Sequence, residues 1–136
     1  MGIPDLRYQV FRRDAQLLWQ LGGELWLSNS QMARKTIIDT MVPPVEKVYL
    51  KITELSHIDS AGLGVLMNLH IEGRKRQIQL VLLSPSPKQM KMLKSFRMDS
   101  VVPIGGGIEA EQTRLQLVHP EFEITPTIAI TNGDGV

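Results

Sequence analysis

The sequence predicts an α/β fold in which helices pack mainly on one face of a mixed, partly parallel sheet. Residues 8–11 and 17–21 are short apolar stretches typical of strands, and helical and strand-like segments alternate after them. Two strands followed by the order αβαβα require helical crossovers between parallel strands. The handedness of such crossovers places their helices on a common face of the sheet.

Turn and capping residues bound the first elements. The two strands are expected to form a hairpin around residues 13–14, and the glycines at 22–23 are expected to break the second strand. A helix follows that one of the polar residues 28–30 can cap, and the two prolines at 43–44 stop it. Its apolar stripe consists of Ala33, Ile37, Ile38 and Met41.

The second half of the predicted core alternates in the same way. Residues 45–52 and 78–83 are predicted strands. The helix predicted over 61–74 is apolar around much of its circumference, which favours burial between the sheet and its neighbours. Another helix is expected to begin at Pro87 with Ser86 as its N-cap. Its inner face is predicted to be lined by Met90, Leu93 and Phe96.

Length and composition indicate one small domain with an ordinary core. The chain has 136 residues, of which 43% are apolar and 21% charged, as in a typical globular protein. It has no cysteine, which excludes disulfides, thiolate zinc sites and cysteine nucleophiles. The sequence contains no apolar run long enough to span a bilayer and no signal-peptide core at its amino end. A cytoplasmic location is therefore expected.

The net charge of +1 conceals an asymmetry along the chain. Residues 105–136 carry five acidic residues and one arginine, a charge of −4, which leaves +5 for residues 1–104. We expect the domain to occupy residues 1–104 and residues 105–136 to form a flexible acidic tail after a triple-glycine break. Within that tail, residues 124–130 are either an added edge strand or part of the tail.

A basic cluster accounts for much of the positive charge. It is either a docking face for an acidic partner or anionic surface, or a solvated helix exterior. Because few aromatic residues lie among these cations, no direct nucleic-acid binding is expected. The cluster consists of Arg74, Lys75, Arg76, Lys88, Lys91, Lys94 and Arg97.

The segment 58–64 places an acid, a hydroxyl and a glycine where a predicted strand leads into a predicted helix. Ser60 lies near the helix N-cap, where backbone N–H groups and the helix dipole favour negative charge. A phosphate there would add about −1.5 to −2 charges to a surface that had only a hydroxyl. On these grounds alone Ser60 is either a capping residue or a site of modification.

Other kinds of chemistry find little support in the sequence. A nucleophile elbow requires Gly-x-Ser-x-Gly, but Ile58 replaces the first glycine, and His57, Asp59 and Ser60 are chain neighbours that are not expected to converge as a triad. The histidines lack metal-ligand spacing, and no phosphate-binding glycine loop is present. We therefore expect no enzymatic activity, no metal and no cofactor.

The chain resembles the STAS domains, and among them the bacterial anti-sigma-factor antagonists, over about residues 8–104. The resemblance rests on Gly-Glu-Leu at 23–25, which ends the second strand in this resemblance, the strand at 48–52, the segment 55–64 and Ser-Pro-Ser-Pro after a later strand at 84–87. Asp-Ser-x-Gly-Leu at 59–63 is its most specific part. In that family the serine of this element is phosphorylated by a partner that is both anti-sigma factor and serine kinase. The resemblance thus implies phosphorylation at Ser60 and reversal by a PP2C-type phosphatase.

The resemblance also implies a partner-binding surface around Ser60. Trp26 stands where family members often have aspartate, and it is either a core residue or an exposed interface anchor. Asp59 either orients the partner's chemistry or binds its metal-nucleotide, or it simply favours the helix start through the dipole. Gly62 is expected to allow close backbone approach. The expected partner-binding residues are Trp26, Ser28, Asn29, Ser56, His57, Ile58, Asp59, Ala61, Gly62 and Leu63.

Two functions follow from the resemblance. In the first, the protein is a phosphorylation-switched binding module, an anti-sigma-factor antagonist that captures the anti-sigma factor and so releases a sigma factor. In the alternative, it is a STAS subunit of a larger assembly, such as a lipid transporter or a stress-sensing complex, without a phosphoswitch.

Overall fold

A computed structural model describes residues 5–105, 123–124 and 128–131. Its elements are β1 (Asp5–Arg13), β2 (Gln16–Leu25), α1 (Leu27–Ile38), β3 (Lys47–Ile58), α2 (Ser60–Lys75), β4 (Gln79–Leu83), α3 (Pro87–Ser95), a 3-10 turn (Met98–Ser100), β5 (Glu123–Ile124) and β6 (Ile128–Thr131). The strands form one mixed sheet in the order β4-β3-β2-β1-β5, with β6 also paired to β1. This confirms the predicted fold class.

The hairpin and the parallel crossovers are as predicted. β1 and β2 are antiparallel, with Asp14 in the left-handed region at the turn (φ 51°). β2 pairs in parallel with β3, and β3 with β4, so α1 and α2 are the crossover helices. The C-terminal ends of β2 and β3 therefore lie at the same edge of the sheet.

The main core lies between the sheet and the helices. It joins buried strand residues such as Trp19 and Leu50 to Ala33, Leu66 and Leu93 of the three helices. The opposite face of the sheet carries a smaller cluster contributed by strands alone. That cluster consists of Leu18, Tyr49, Val81 and Leu83, with Phe11 packed against it. The helices thus pack mainly on one face, because successive strand residues alternate between the two faces.

The predicted break at Gly22-Gly23 is not a break. β2 continues through both glycines to Leu25, and its register with β3 shifts between Gln20 and Gly22 and again between Gly23 and Glu24. Gly23 has φ of 92°, a conformation that glycine adopts readily. The glycines thus accommodate irregular pairing and let β2 reach the edge where α1 begins.

Other boundaries also differ from the sequence prediction. α1 begins at Leu27, before the polar residues expected to cap it, and β3 runs to Ile58 rather than ending at 52. Phe96, expected on the inner face of α3, is 57% exposed because it lies beyond the last turn of that helix. Leu93 takes the buried position.

The predicted start of α3 is confirmed. Pro87 opens the helix, and the hydroxyl of Ser86 accepts a hydrogen bond from the Gln89 amide at 3.1 Å. The side chain of Gln89 is buried and donates to the carbonyls of Ile52 and Leu55 at 2.8 and 2.9 Å. These bonds fix α3 against the irregular second half of β3.

The C-terminal segments add to the β1 edge. Residues 123–124 and 128–131 pair with β1 as antiparallel strands. The described residues of the segment 124–130 therefore form strands, which was one of the two alternatives for it. Most of the expected tail lies outside the described residues. The boundary expected at residue 104 stays a prediction, which truncation tests. Among the described helices, none is long and apolar enough to cross a membrane.

Candidate functional site

Two parallel strands and two helices meet at the edge that holds Ser60. Glu24 pairs with His57 and Leu25 with Ile58 as the last register positions of β2 and β3. Each helix begins within two residues of its strand's end. The N-termini of α1 and α2, with their unpaired N–H groups and positive dipole ends, therefore open at one place.

Asp59 ties these two helix starts together. It is the N-cap of α2, and its Oδ1 accepts a hydrogen bond from the Gly62 amide at 2.8 Å. Its Oδ2 accepts from the amide of Leu27, the first residue of α1, at 3.0 Å. Its own amide donates to the Leu25 carbonyl at 3.3 Å. One carboxylate thus satisfies an unpaired donor of each helix and sits at the positive end of both dipoles.

Gly62 allows the first turn of α2 to lie against the end of β2. A Cβ at this position would fall 2.7 Å from the Leu25 carbonyl oxygen and 2.8 Å from Cγ2 of Ile58. Real Cβ contacts are not that short, and the nearest atom is backbone. The expected close approach is therefore present, and glycine is required for it.

Ser60 is the first residue of α2 rather than its cap. Its position near the N-cap was predicted correctly. The alternative that Ser60 itself caps the helix is wrong, because Asp59 is the N-cap. Ser60 is exposed, and its hydroxyl forms no hydrogen bond with another residue of the described chain. The hydroxyl is therefore available to a partner.

An aromatic pair flanks this position. The rings of Trp26 and His57 stack with centroids 3.9 Å apart and planes 14° apart. The indole Nε1 of Trp26 donates to Oε1 of Glu24 at 2.9 Å. Trp26 is partly buried and His57 exposed. Trp26 is thus neither a core residue nor a free anchor: it is held against the sheet edge with part of its surface open.

Asn29 organises the start of α1 from inside the helix. It was one of the expected caps, but the N-cap is Trp26, and Asn29 is the third helical residue. Its Oδ1 accepts from the Trp26 amide at 2.9 Å, and its Nδ2 donates to the Glu24 carbonyl at 2.9 Å. Both bonds are partly buried, while Asn29 itself is fully buried, and they fix the backbone that leads into Trp26.

The expected partner-binding residues divide into a surface and its support. Ser28, Ser56 and His57 are exposed, with the Ser56 hydroxyl donating to the Gly23 carbonyl at 3.0 Å, and Asp59 and Ala61 are partly buried. A second set is buried and cannot contact a partner directly as the chain stands. That set is Asn29, Ile58, Gly62 and Leu63.

Sequence reasoning missed two residues of this site. Leu27 is 72% exposed, next to both Trp26 and the Asp59 carboxylate, and Glu24 orients the Trp26 ring. The signal for Leu27 was its place directly after the end of the second strand and before three polar residues, where an apolar side chain has no core to fill. We call Trp26, Leu27, His57 and Ser60 the switch surface.

The two helix turns at the switch surface carry no charged side chain, although Lys88 of α3 lines the same hollow as His57. The first turns of α1 and α2 contain no lysine, arginine or acidic residue. A phosphate on Ser60 would therefore meet two helix N-termini and the neighbouring Asp59 carboxylate, with no arginine from either turn. Within the described residues, no group of three or more His, Asp or Glu side chains could hold a metal ion.

Comparisons with known proteins agree with this architecture. The family model of the STAS domain matches residues 8–130. The chain belongs to the STAS domain family. No curated protein sequence is significantly similar to it.

The anti-sigma factor antagonist SpoIIAA is among the similar solved structures. In its unphosphorylated form it is 23% identical, with 79% of this chain and 94% of that chain covered and a TM-score of 0.62. The phosphorylated form of this Bacillus cell fate determinant is 21% identical, with 79% and 98% covered and a TM-score of 0.60.

Two further structures share the fold. An anti-sigma factor antagonist from Mycobacterium paratuberculosis is 13% identical, covering 82% of this chain and 94% of that chain, with a TM-score of 0.68. The murine anion transporter Slc26a9 is also 13% identical and covers 82% of this chain but 22% of that chain, with a TM-score of 0.66. This fold therefore occurs in stand-alone antagonists and as a domain of a transporter.

Proposed function

We infer that this protein is a phosphorylation-switched binding module that acts as an anti-sigma-factor antagonist. The observation that carries the proposal is the exposed hydroxyl of Ser60 on the first turn of α2, which has no hydrogen-bond partner among the described residues and lies close in the fold to the stacked Trp26 and His57. An aromatic and apolar surface suits a protein partner, and an exposed hydroxyl at its border suits a kinase.

Local electrostatics supply the switch. In the unmodified form the partner would cover a neutral hydroxyl together with Trp26 and Leu27. Phosphorylation would bring about −1.5 to −2 charges to the same place, next to the Asp59 carboxylate. Because neither first turn offers a lysine or arginine, a partner that buried that charge would leave it with backbone N–H groups but with no cationic side chain from either turn. The modified form would therefore be released.

The helix starts explain why the modified protein would stay folded. A phosphate at the first position of α2 faces backbone N–H groups and the positive end of the helix dipole. Phosphorylation would therefore change the affinity of this protein for its partner and leave its fold intact.

The proposed partner is an anti-sigma factor with serine kinase activity, and a PP2C-type phosphatase would restore the unmodified form. Both would meet the protein in the cytoplasm. The antagonist itself performs no chemistry and needs no cofactor. Support comes from the structural likeness to SpoIIAA, which has been solved in phosphorylated and unphosphorylated forms.

The likeness to a transporter domain favours a second candidate. The matching part of murine Slc26a9 is 22% of that chain, so the same fold serves there inside a larger protein. On this alternative, the present chain would be a constitutive subunit of an assembly, such as a lipid transporter or a stress-sensing complex, and Ser60 would stay unmodified.

Phosphorylation in vitro separates the two candidates. Incubated with its cognate kinase and ATP, the chain should gain one phosphate, which mass spectrometry should locate on Ser60. Ser60→Ala should remain unmodified under the same conditions, whereas Ser95→Ala, a control at an exposed serine at the end of α3, should be modified as well as the wild type. Phosphate on Ser28, Ser84 or Ser86 instead would contradict the assignment.

A further inference from the structure

A polar hollow lies on the face of the sheet opposite the three described helices. Its side chains come from three adjacent strands: Arg7 and Gln9 on β1, Gln20 on β2, and Lys51 and Glu54 on β3. The hollow has a volume of about 160 Å³. That is room for a molecule of amino-acid size rather than a single water.

The register of the sheet sets these groups in two rows. Arg7 pairs with Gly22, which pairs with Glu54, and Gln9 pairs with Gln20, which pairs with Lys51. With strands about 4.8 Å apart, the backbones of Arg7 and Glu54 stand about 10 Å from each other. A cation and an anion thus face each other across the hollow, with a second cation and two amides in the adjacent row.

Gly22 forms the floor between the two opposite charges. A Cβ there would lie 3.4 Å from Nη2 of Arg7 and 3.8 Å from Cβ of Glu54. Any side chain at this position would fill the gap between them. The glycine that interrupts the β2 register is therefore also what opens the hollow.

The polar side chains of the hollow have no hydrogen-bond or ion-pair partner among the described residues. Within the described part of the chain, none of these five side chains forms a hydrogen bond or an ion pair, and Arg7 and Glu54 do not pair with each other. Gln20 and Lys51 are partly buried, whereas Arg7, Gln9 and Glu54 are exposed to solvent. Donors and acceptors held side by side on rigid strands, with no internal partner, are suited to a ligand that satisfies them together.

We propose that this hollow binds a free acidic α-amino acid. The site carries two positive charges and one negative charge, and such a ligand carries two carboxylates and one ammonium group. Its carboxylates would bind Arg7 and Lys51, and its ammonium group would bind Glu54, while Gln9 and Gln20 bond the remaining polar atoms. The proposal does not depend on Ser60 or on the partner that the switch surface binds.

Nuclear magnetic resonance of the ¹⁵N-labelled full chain tests the site with L-glutamate as the probe. Saturable shifts are expected at the amides of Gly22, Gln20 and Lys51. Glutarate, which lacks the ammonium group, and 4-aminobutyrate, which lacks one carboxylate, should each bind at least tenfold more weakly. Shifts that do not saturate, or equal affinity for glutarate and L-glutamate, would overturn the proposal.

Variants on the three strands make the test specific. Arg7→Gln should weaken L-glutamate binding at least tenfold, and Glu54→Gln should abolish the preference for L-glutamate over glutarate. Gly22→Ala should weaken binding by filling the floor. Lys88→Gln on α3 and Ser60→Ala serve as matched controls and should bind as the wild type does. Unchanged affinity in Arg7→Gln, or a retained preference in Glu54→Gln, would contradict the site.

Discussion

The Asp59 carboxylate accepts a hydrogen bond from the Leu27 amide, a residue 32 positions away in the chain, while capping its own helix through Gly62. The starts of α1 and α2 are thereby held by one side chain. The switch surface depends on this connection, because Trp26 and Leu27 are the N-cap and first residue of α1, and Ser60 is the first residue of α2. Because this surface is built from two helix starts, its geometry depends on the Asp59 carboxylate that joins them.

Removing this carboxylate should destabilise the protein. Asp59→Ala leaves an unpaired donor at each helix start, so we expect a loss of about 1–3 kcal/mol in the free energy of unfolding. Asp39→Ala is the control, since the Asp39 pair with Lys35 is a solvent-exposed ion pair expected to contribute at most about 1 kcal/mol. Urea unfolding of both variants measures the difference. Equal losses would show that Asp59 does not join the helices.

Alanine at Ser60 should cost little stability. Because Asp59 is the cap, Ser60→Ala removes no capping bond, and we expect a change within about 0.5 kcal/mol. Ser86→Ala removes the true cap of α3 and should cost about 0.5–2 kcal/mol. Thermal unfolding of the two variants provides the comparison. A larger loss in Ser60→Ala than in Ser86→Ala would mean that Ser60 supports the fold.

Two glycines of α2 should respond in opposite directions to alanine. In Gly62→Ala the new Cβ meets the Leu25 carbonyl at 2.7 Å, so the start of the helix must shift and the variant should lose about 1–3 kcal/mol. Gly64 has no atom within 4 Å of such a Cβ, and Gly64→Ala should gain up to about 1 kcal/mol from helix propensity. Chemical denaturation measures the change in the free energy of unfolding for both variants. Destabilisation of both variants alike would remove the close-approach argument.

Truncation tests the domain boundary. Deleting residues 106–136 removes the strands paired with β1 but leaves β1 to β4 and the three helices. We expect cooperative unfolding, with the melting temperature lowered by roughly 4–8 °C for each kcal/mol lost at the exposed β1 edge. A melting transition that disappears would show that the C-terminal strands belong to the folding unit.

The sequence predicted the fold because its strongest signals are local and repeated. Apolar strands alternating with helices, and the proline and serine at the start of α3, required no knowledge of tertiary contacts. Gly22 and Gly23 were misleading for the same reason: glycine usually ends a strand, but here it allows shifted pairing with β3.

The sequence predicted where the site lies, but not which side chains make the contacts that hold it together. Asp59 and Ser60 are both good capping residues, but only the Asp59 carboxylate accepts from the Gly62 amide of its own helix and from the Leu27 amide of α1. The stack of Trp26 on His57 follows from the register of β2 and β3, which the sequence does not reveal.

Calorimetric titration of the partner with the phosphorylated and unphosphorylated chain tests the central proposal most directly. Phosphorylation at Ser60 should weaken binding of the anti-sigma factor at least tenfold, about 1.4 kcal/mol, while circular dichroism shows the same fold. Ser60→Asp should weaken binding in the same direction, and Ser60→Ala should bind as the unmodified chain does. Equal affinity of the phosphorylated and unphosphorylated forms would contradict the switch.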